Sequence, residues 1–231
     1  MIPNSILRES PKNFLGFSEE KISKVLQGGY DARQPSSYDS PIAAGSRQYF
    51  AIVKGAGQVL CTEENWIKYT RKNSNYFIDP NHERALLVSS GNSNTGIEKA
   101  IPSTKRNKGP EFTRLVNANA QQIPNFPISD LMSKNWTCLQ ARLPFTESEI
   151  RQITPQNLSK GSLFVPTWLL LYFNDKNEIR WEISYPIYLN NKGFIVEWEQ
   201  RIIMPAIPIN NPILPRNPNP DSFGNIPIGR R

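Results

Sequence analysis

A chain of 231 residues, 38% hydrophobic and holding five Trp, eight Tyr and eleven Phe, has the apolar surface for a sizeable core, which excludes global disorder. Twenty prolines disfavour long helices, because each fixes φ and removes a backbone donor. The formal net charge of +7 suits nucleic acid, an anionic membrane surface or an acidic protein as partner without choosing among them.

Residues 1–16 read as an irregular N-terminal arm, and "MIPNSILRESPKNFLGF" lacks the basic-then-apolar order of a signal peptide. A short helix follows. Ser18 stands at its N-cap, Glu19 and Glu20 fill the first turn, Ile22, Val25 and Leu26 form one face, and Gly28 ends it. Residues 30–46, rich in Ser, Pro, Asp and Gly, read as loop. "RQYFAIVKGAGQVLC" (47–61) reads as a hairpin around a glycine-containing turn. Thr62 then caps a short helix, with Glu63 and Glu64 at its start and Arg71 and Lys72 at its end, although Trp66, Ile67 and Tyr69 are too few to define an apolar face. "RALLVSS" (84–90) reads as a strand.

Residues 91–124 are polar, broken by Gly and Pro, and carry a basic cluster at Lys105, Arg106, Lys108 and Arg114. They read as one long surface loop of the kind that is usually functional or disordered. A helical turn near Ile128–Met132, a strand over 136–143 and a capping-box helix from Thr146 and Glu149 to Pro155 come next.

The best-patterned stretch, 163–204, reads as an antiparallel meander. Ile179, Trp181, Ile183 and Tyr185 alternate with Glu178, Arg180, Glu182 and Ser184, and "NDKN" and "NNKG" supply the turns. Pairing Leu189 with Phe194 sets Tyr185 opposite Trp198 and Glu182 opposite Arg201. Glu178, Glu182, Glu197 and Glu199 then form a solvated polar face rather than a metal site, since hard cations need convergent oxygens. The run Leu169–Phe173 is apolar on both faces and needs a cover from this chain or another, which makes Leu169, Leu171 and Phe173 a candidate shared face.

No motif fixes a reaction. His82, the one histidine, lies in a turn-like polar segment; a GxSxG elbow and the phosphate-binding glycine patterns are absent. Cys61 and Cys138 allow one disulfide but read rather as two buried free thiols, and four zinc ligands cannot be drawn from two Cys and one His without carboxylates. No catalytic residue, metal or cofactor is therefore assigned. Lys105, Arg106, Lys108 and Arg114 could grip phosphates with Phe112 as a stacking ring, and Lys68, Arg71 and Lys72 add a second patch near Trp66 and Tyr69.

Residues 204–231 hold seven prolines between 205 and 227, interleaved with Ile207, Ile209, Ile213, Leu214 and Phe223. A stiff extended segment with spaced apolar side chains loses little entropy on docking, so it reads as an arm that lies in a groove. The expected organisation is an N-terminal arm (1–16), a single β-rich α+β domain (17–203) with an antiparallel meander and a few short helices, and a Pro-rich C-terminal arm (204–231). The expected function is a non-enzymatic subunit of a larger, virion- or phage-particle-like assembly, bound to other protein subunits through its arms and free of any membrane span. It would reside in the cytoplasm or in the assembled particle. The alternative is a nucleic-acid-binding protein or nuclease working through the basic loop.

Overall fold

The computed structural model describes residues 6–7, 16–34, 38–40, 42–81, 83–122 and 165–209, and over them the chain is a mixed α+β fold built on one open sheet. Its strands are β1 (Ile6–Leu7), β2 (Ile67–Arg71), β3 (Ser74–Ile78), β4 (Ala85–Ser90), β5 (Thr167–Asn174), β6 (Glu178–Leu189), β7 (Ile195–Ile203) and β8 (Ile207–Pro208). They lie in the order β1-β7-β6-β5-β4-β3-β2, with β8 pairing β6 at Glu178 and Ile179. The β4–β5 and β1–β7 pairs are parallel and the others antiparallel.

Helices α1 (Glu19–Asp31) and α2 (Ala43–Gly57), the second running on into a π-helical turn (Gln58–Glu63), cover one face of the sheet. Ile22, Leu26, Ile52, Ala56 and Leu60 meet Leu86, Val88, Trp168, Leu170 and Trp181 there. Helix α3 (Pro110–Gln122) brings Leu115 and Val116 to the other face, against Ala85, Leu87, Leu169 and Leu171. The two-sided apolar run of β5 is thus buried between layers, as a parallel pair covered on both faces requires. The cover for Leu169 and Leu171, both fully buried, comes from this chain.

The structure corrects several local expectations. Residues 47–61 are helical rather than a hairpin, because Tyr49, Ile52, Val53, Ala56, Val59 and Leu60 recur at helical spacing and pack against the sheet. The expected helix after Thr62 is instead the π-helical turn followed by the β2–β3 hairpin. Its two-residue turn, Lys72-Asn73, has φ of 44° and 62°, the geometry of the twisted hairpin turn. Gly28 does not end α1, which continues to Asp31, and Ser18 is its N-cap without a side-chain capping bond. The end of the presumed long loop is α3, and its front part, 91–109, is irregular but tied down as described below.

The meander is present, with a different register. The Asn190 N–H donates to Phe194 O and the Phe194 N–H to Asn190 Oδ1, closing the loop so that Leu189 faces Ile195, and irregularities around Pro186, which has no N–H to donate, move Tyr185 to Gln200 and Ser184 to Arg201. Glu182 and Arg201 still meet, diagonally, at 2.6 Å. They do so in the interior, because residues 91–104 lie over this face: Glu182, Ser184 and Arg201 are buried, not solvated. The turn expected at 128–132, the strand at 136–143 and the helix at 146–155, together with Cys138, lie outside the described residues.

Candidate anion-binding cleft

The parallel pairing of β4 with β5 brings Ser89 and Ser90 beside Leu171 and Tyr172 at the carboxyl ends of both strands. A cleft of about 460 Å³ opens there, the usual place for a ligand on an open sheet with parallel strands. Helix α2 contributes Gln48, Tyr49 and Phe50, β5 contributes Tyr172, Phe173 and Asn174, and α3 contributes Phe112. The β2–β3 hairpin adds Asn73 from its turn and Asn75 from β3. The cations are Arg33, from just after α1, and Lys105, Arg106 and Lys108. Among the described residues that line the cleft there is no carboxylate.

Each part is held by identifiable bonds. The Lys105 N–H donates to Ser90 O at 2.9 Å, Thr104 bridges Gly91, and the Lys108 N–H donates to Gly193 O at 2.6 Å, so the basic segment is fixed at both ends. Residues 91–104 are folded onto the sheet. Asn92 Oδ1 accepts from the N–H groups of Asn94 and Ser103, and Trp198 Nε1 donates to Pro102 O. The Arg201 guanidinium donates to Ala100 O and Ile97 O as well as to Glu182, whose carboxylate also accepts from the Gly96 N–H and Ser184 Oγ. Arg47 grips Asp39 with two nitrogens and donates to Ala32 O and Gln34 O, which fixes the chain around Arg33. Gln48 and Asn174 exchange two amide hydrogen bonds, of 3.0 and 2.8 Å, between α2 and β5.

Electrostatically the cleft is a cationic pocket with neutral, partly aromatic surroundings. Burial pushes the Tyr49 and Tyr172 hydroxyls up, so both stay protonated at neutral pH. The Lys108 amine donates to Ser89 Oγ at 2.8 Å and sits 4.7 Å from the centroid of the Phe112 ring. Burial, reinforced by the charge of Arg106, brings its pKa down to about 8. A buried cation is ordinarily paired. Among the described residues no carboxylate pairs with Lys108.

Of the basic cluster named from sequence, Lys105, Arg106 and Lys108 come together in the cleft with Phe112, and Arg114 does not. Arg114 faces the buried Glu111 at 3.6 Å, as do Arg71 at 3.3 Å and Lys72 at 3.9 Å. The second basic patch is thus largely a brace between the β2–β3 hairpin and α3, with Trp66 in the core. Sequence reasoning missed Arg33, Gln48, Tyr49, Tyr172 and Asn174, which are distant in the chain and line one cleft only because α2 packs beside the end of β5. Phe173 lines the cleft beneath Arg180, whose guanidinium lies 5.2 Å from its ring. Ile207 lies in β8, and Ile209 packs on Tyr30 and Ile179. Ile213, Leu214, Phe223 and His82 lie outside the described residues.

Among the described residues no group of three or more His, Cys, Asp or Glu could hold a metal ion. No helix among them is long and apolar enough to cross a membrane. Comparison with protein-family models, with curated proteins and with solved structures found no match to this chain.

Proposed function

We propose that this protein binds a phosphate-bearing polyanion, a single strand of nucleic acid, in the cleft at the carboxyl ends of β4 and β5. The observation that carries this reading is Lys108: a part-buried amine without a carboxylate partner among the described residues, in a cleft that gathers three further cations and no acid. An incoming phosphate supplies the missing counter-charge, in a setting where charge-assisted hydrogen bonds are strong. Lys105 and Arg106 are exposed and extend the positive surface outward, where a chain with net charge +7 already favours a polyanion. Tyr49, Phe50 and Phe112 offer rings to a base, and Phe50 is 66% exposed.

A cleft of about 460 Å³ takes about one nucleotide unit, so the strand enters unpaired. Fluorescence anisotropy of a labelled single strand of about 12 nucleotides, compared with its duplex, tests this. The single strand is expected to bind at least about tenfold more tightly. A duplex that binds equally well, or no binding of either, contradicts the reading.

A second reading, a subunit knitted into a larger assembly by its arms, is supported by the first residues of the C-terminal arm. Ile209 is buried against Tyr30 and Ile179, and its N–H donates to Asn177 O at 2.8 Å, so an apolar, proline-flanked segment docks here as added strand. Light scattering on the eluting full chain decides it: a mass well above one chain supports assembly, and a single-chain mass excludes it.

A further inference from the structure

Lys108 differs from Lys105 and Arg106 in being part-buried where they are exposed. Ser89, to which its amine donates, is itself buried, and the ring of Phe112 flanks the amine on α3. Arg106 is the charged group that acts on it most, and it is of the same sign. Such surroundings hold part of the lysine as free base. With a pKa of about 8, roughly a tenth of the molecules carry a neutral amine at pH 7, against about one in 3,000 for an ordinary lysine. Desolvation beside another cation is the setting in which a lysine becomes a nucleophile toward carbonyl carbon.

We infer that Lys108 is a nucleophilic amine that condenses with the aldehyde or ketone of a phosphate-bearing ligand whose phosphate is held by Arg33, Lys105 and Arg106. The inference rests on the reading of the cleft as an anion site and adds chemistry to it. The Nζ lone pair attacks the carbonyl carbon, a C–N bond forms, and the carbonyl π pair moves onto oxygen. Ser89, already hydrogen-bonded to the amine, relays a proton from nitrogen to that oxygen and gives the carbinolamine. A proton from solvent then converts the hydroxyl to water, which leaves as the C=N bond forms. The balance is one amine, one carbonyl and one proton in, one iminium and one water out, with no change in oxidation state.

Reductive trapping tests this on the wild-type chain. The protein is treated at pH 7 with about one equivalent of pyridoxal 5′-phosphate and with cyanoborohydride, and modified lysines are located by peptide mass mapping. A parallel arm uses a single-stranded oligonucleotide with one abasic sugar, which carries its aldehyde within a strand. The expected result is one adduct, on Lys108, suppressed by inorganic pyrophosphate, slowed in Ser89→Ala and lost in Lys108→Arg. Adduct from the free phosphate aldehyde alone, or from the strand as well, says which source the cleft accepts. Labelling spread over the exposed lysines, or absent from Lys108 in both arms, overturns the inference. If that chain still binds unmodified single strand, the anion-site reading stands without the chemistry; if it binds none, both fall.

Discussion

Glu182 and Arg201 are the residues on which the cleft's framework depends most. Both charges are buried and fully engaged, and they connect the β6–β7 pair to the loop that leads into Lys105. Glu182→Gln leaves the guanidinium without its counter-charge, and such a broken buried pair costs about 3–5 kcal/mol. Urea denaturation is expected to show a loss in that range, with faster amide exchange at Gly96; a loss below about 1 kcal/mol would falsify the claim that this pair anchors the loop. Lys108 acts in the opposite sense. Its folded pKa lies below that of an unfolded lysine, so the unfolded chain binds the extra proton between the two values and stability rises with pH across that window, from about 8 toward 10.5. Below pH 8 the burial penalty is fully present. The melting-temperature advantage of Lys108→Met over wild type is therefore expected to be largest near pH 7 and to shrink toward pH 10. An advantage that stays constant contradicts the burial argument. The letters alone announced the Glu182–Arg201 partnership but not its burial, since nothing in an alternating strand says whether a loop will lie over its polar face.

At the scale of elements, the α1–α2 pair shows how a local signal can point the wrong way. The glycines of "KGAG" have the form of a turn, yet Gly55 lies where a Cβ would meet Val25 and Gly57 where it would meet Phe77. They are packing glycines inside a helix, and the apolar spacing from Tyr49 to Leu60 was the better guide. Gly29 is the matching position on α1, where an added Cβ would run into the fully buried Ile52. Gly29→Ala is expected to destabilise the protein by about 1–3 kcal/mol through overpacking, in spite of alanine's better helix propensity. A stabilised variant in thermal melts would mean that the helices are not in close contact. The Lys72-Asn73 turn was missed for the converse reason: it adopts positive φ twice without the glycine that usually marks it. Strands β4 to β7 were legible because alternation and a continuous apolar run survive any tertiary context that buries them.

For the whole molecule, the mixed sheet decides where a ligand can sit. The parallel β4–β5 pair places two strand ends side by side, and the helices and the basic segment wall off the space beyond them. The basic half of the cleft could be read from the run 105–108; the aromatic and amide half could not, because Gln48 and Asn174 lie 126 positions apart and join only through the fold. The measurement that tests the central claim most directly is the salt dependence of single-strand binding by wild type and by the Lys105→Glu, Arg106→Glu double variant. Wild type is expected to bind with a log–log salt slope of about −2 to −3, as three or four neutralised phosphates require. The variant should lose at least about tenfold in affinity and show a shallower slope while melting as wild type does. Equal binding and equal slopes in the two proteins would contradict the account.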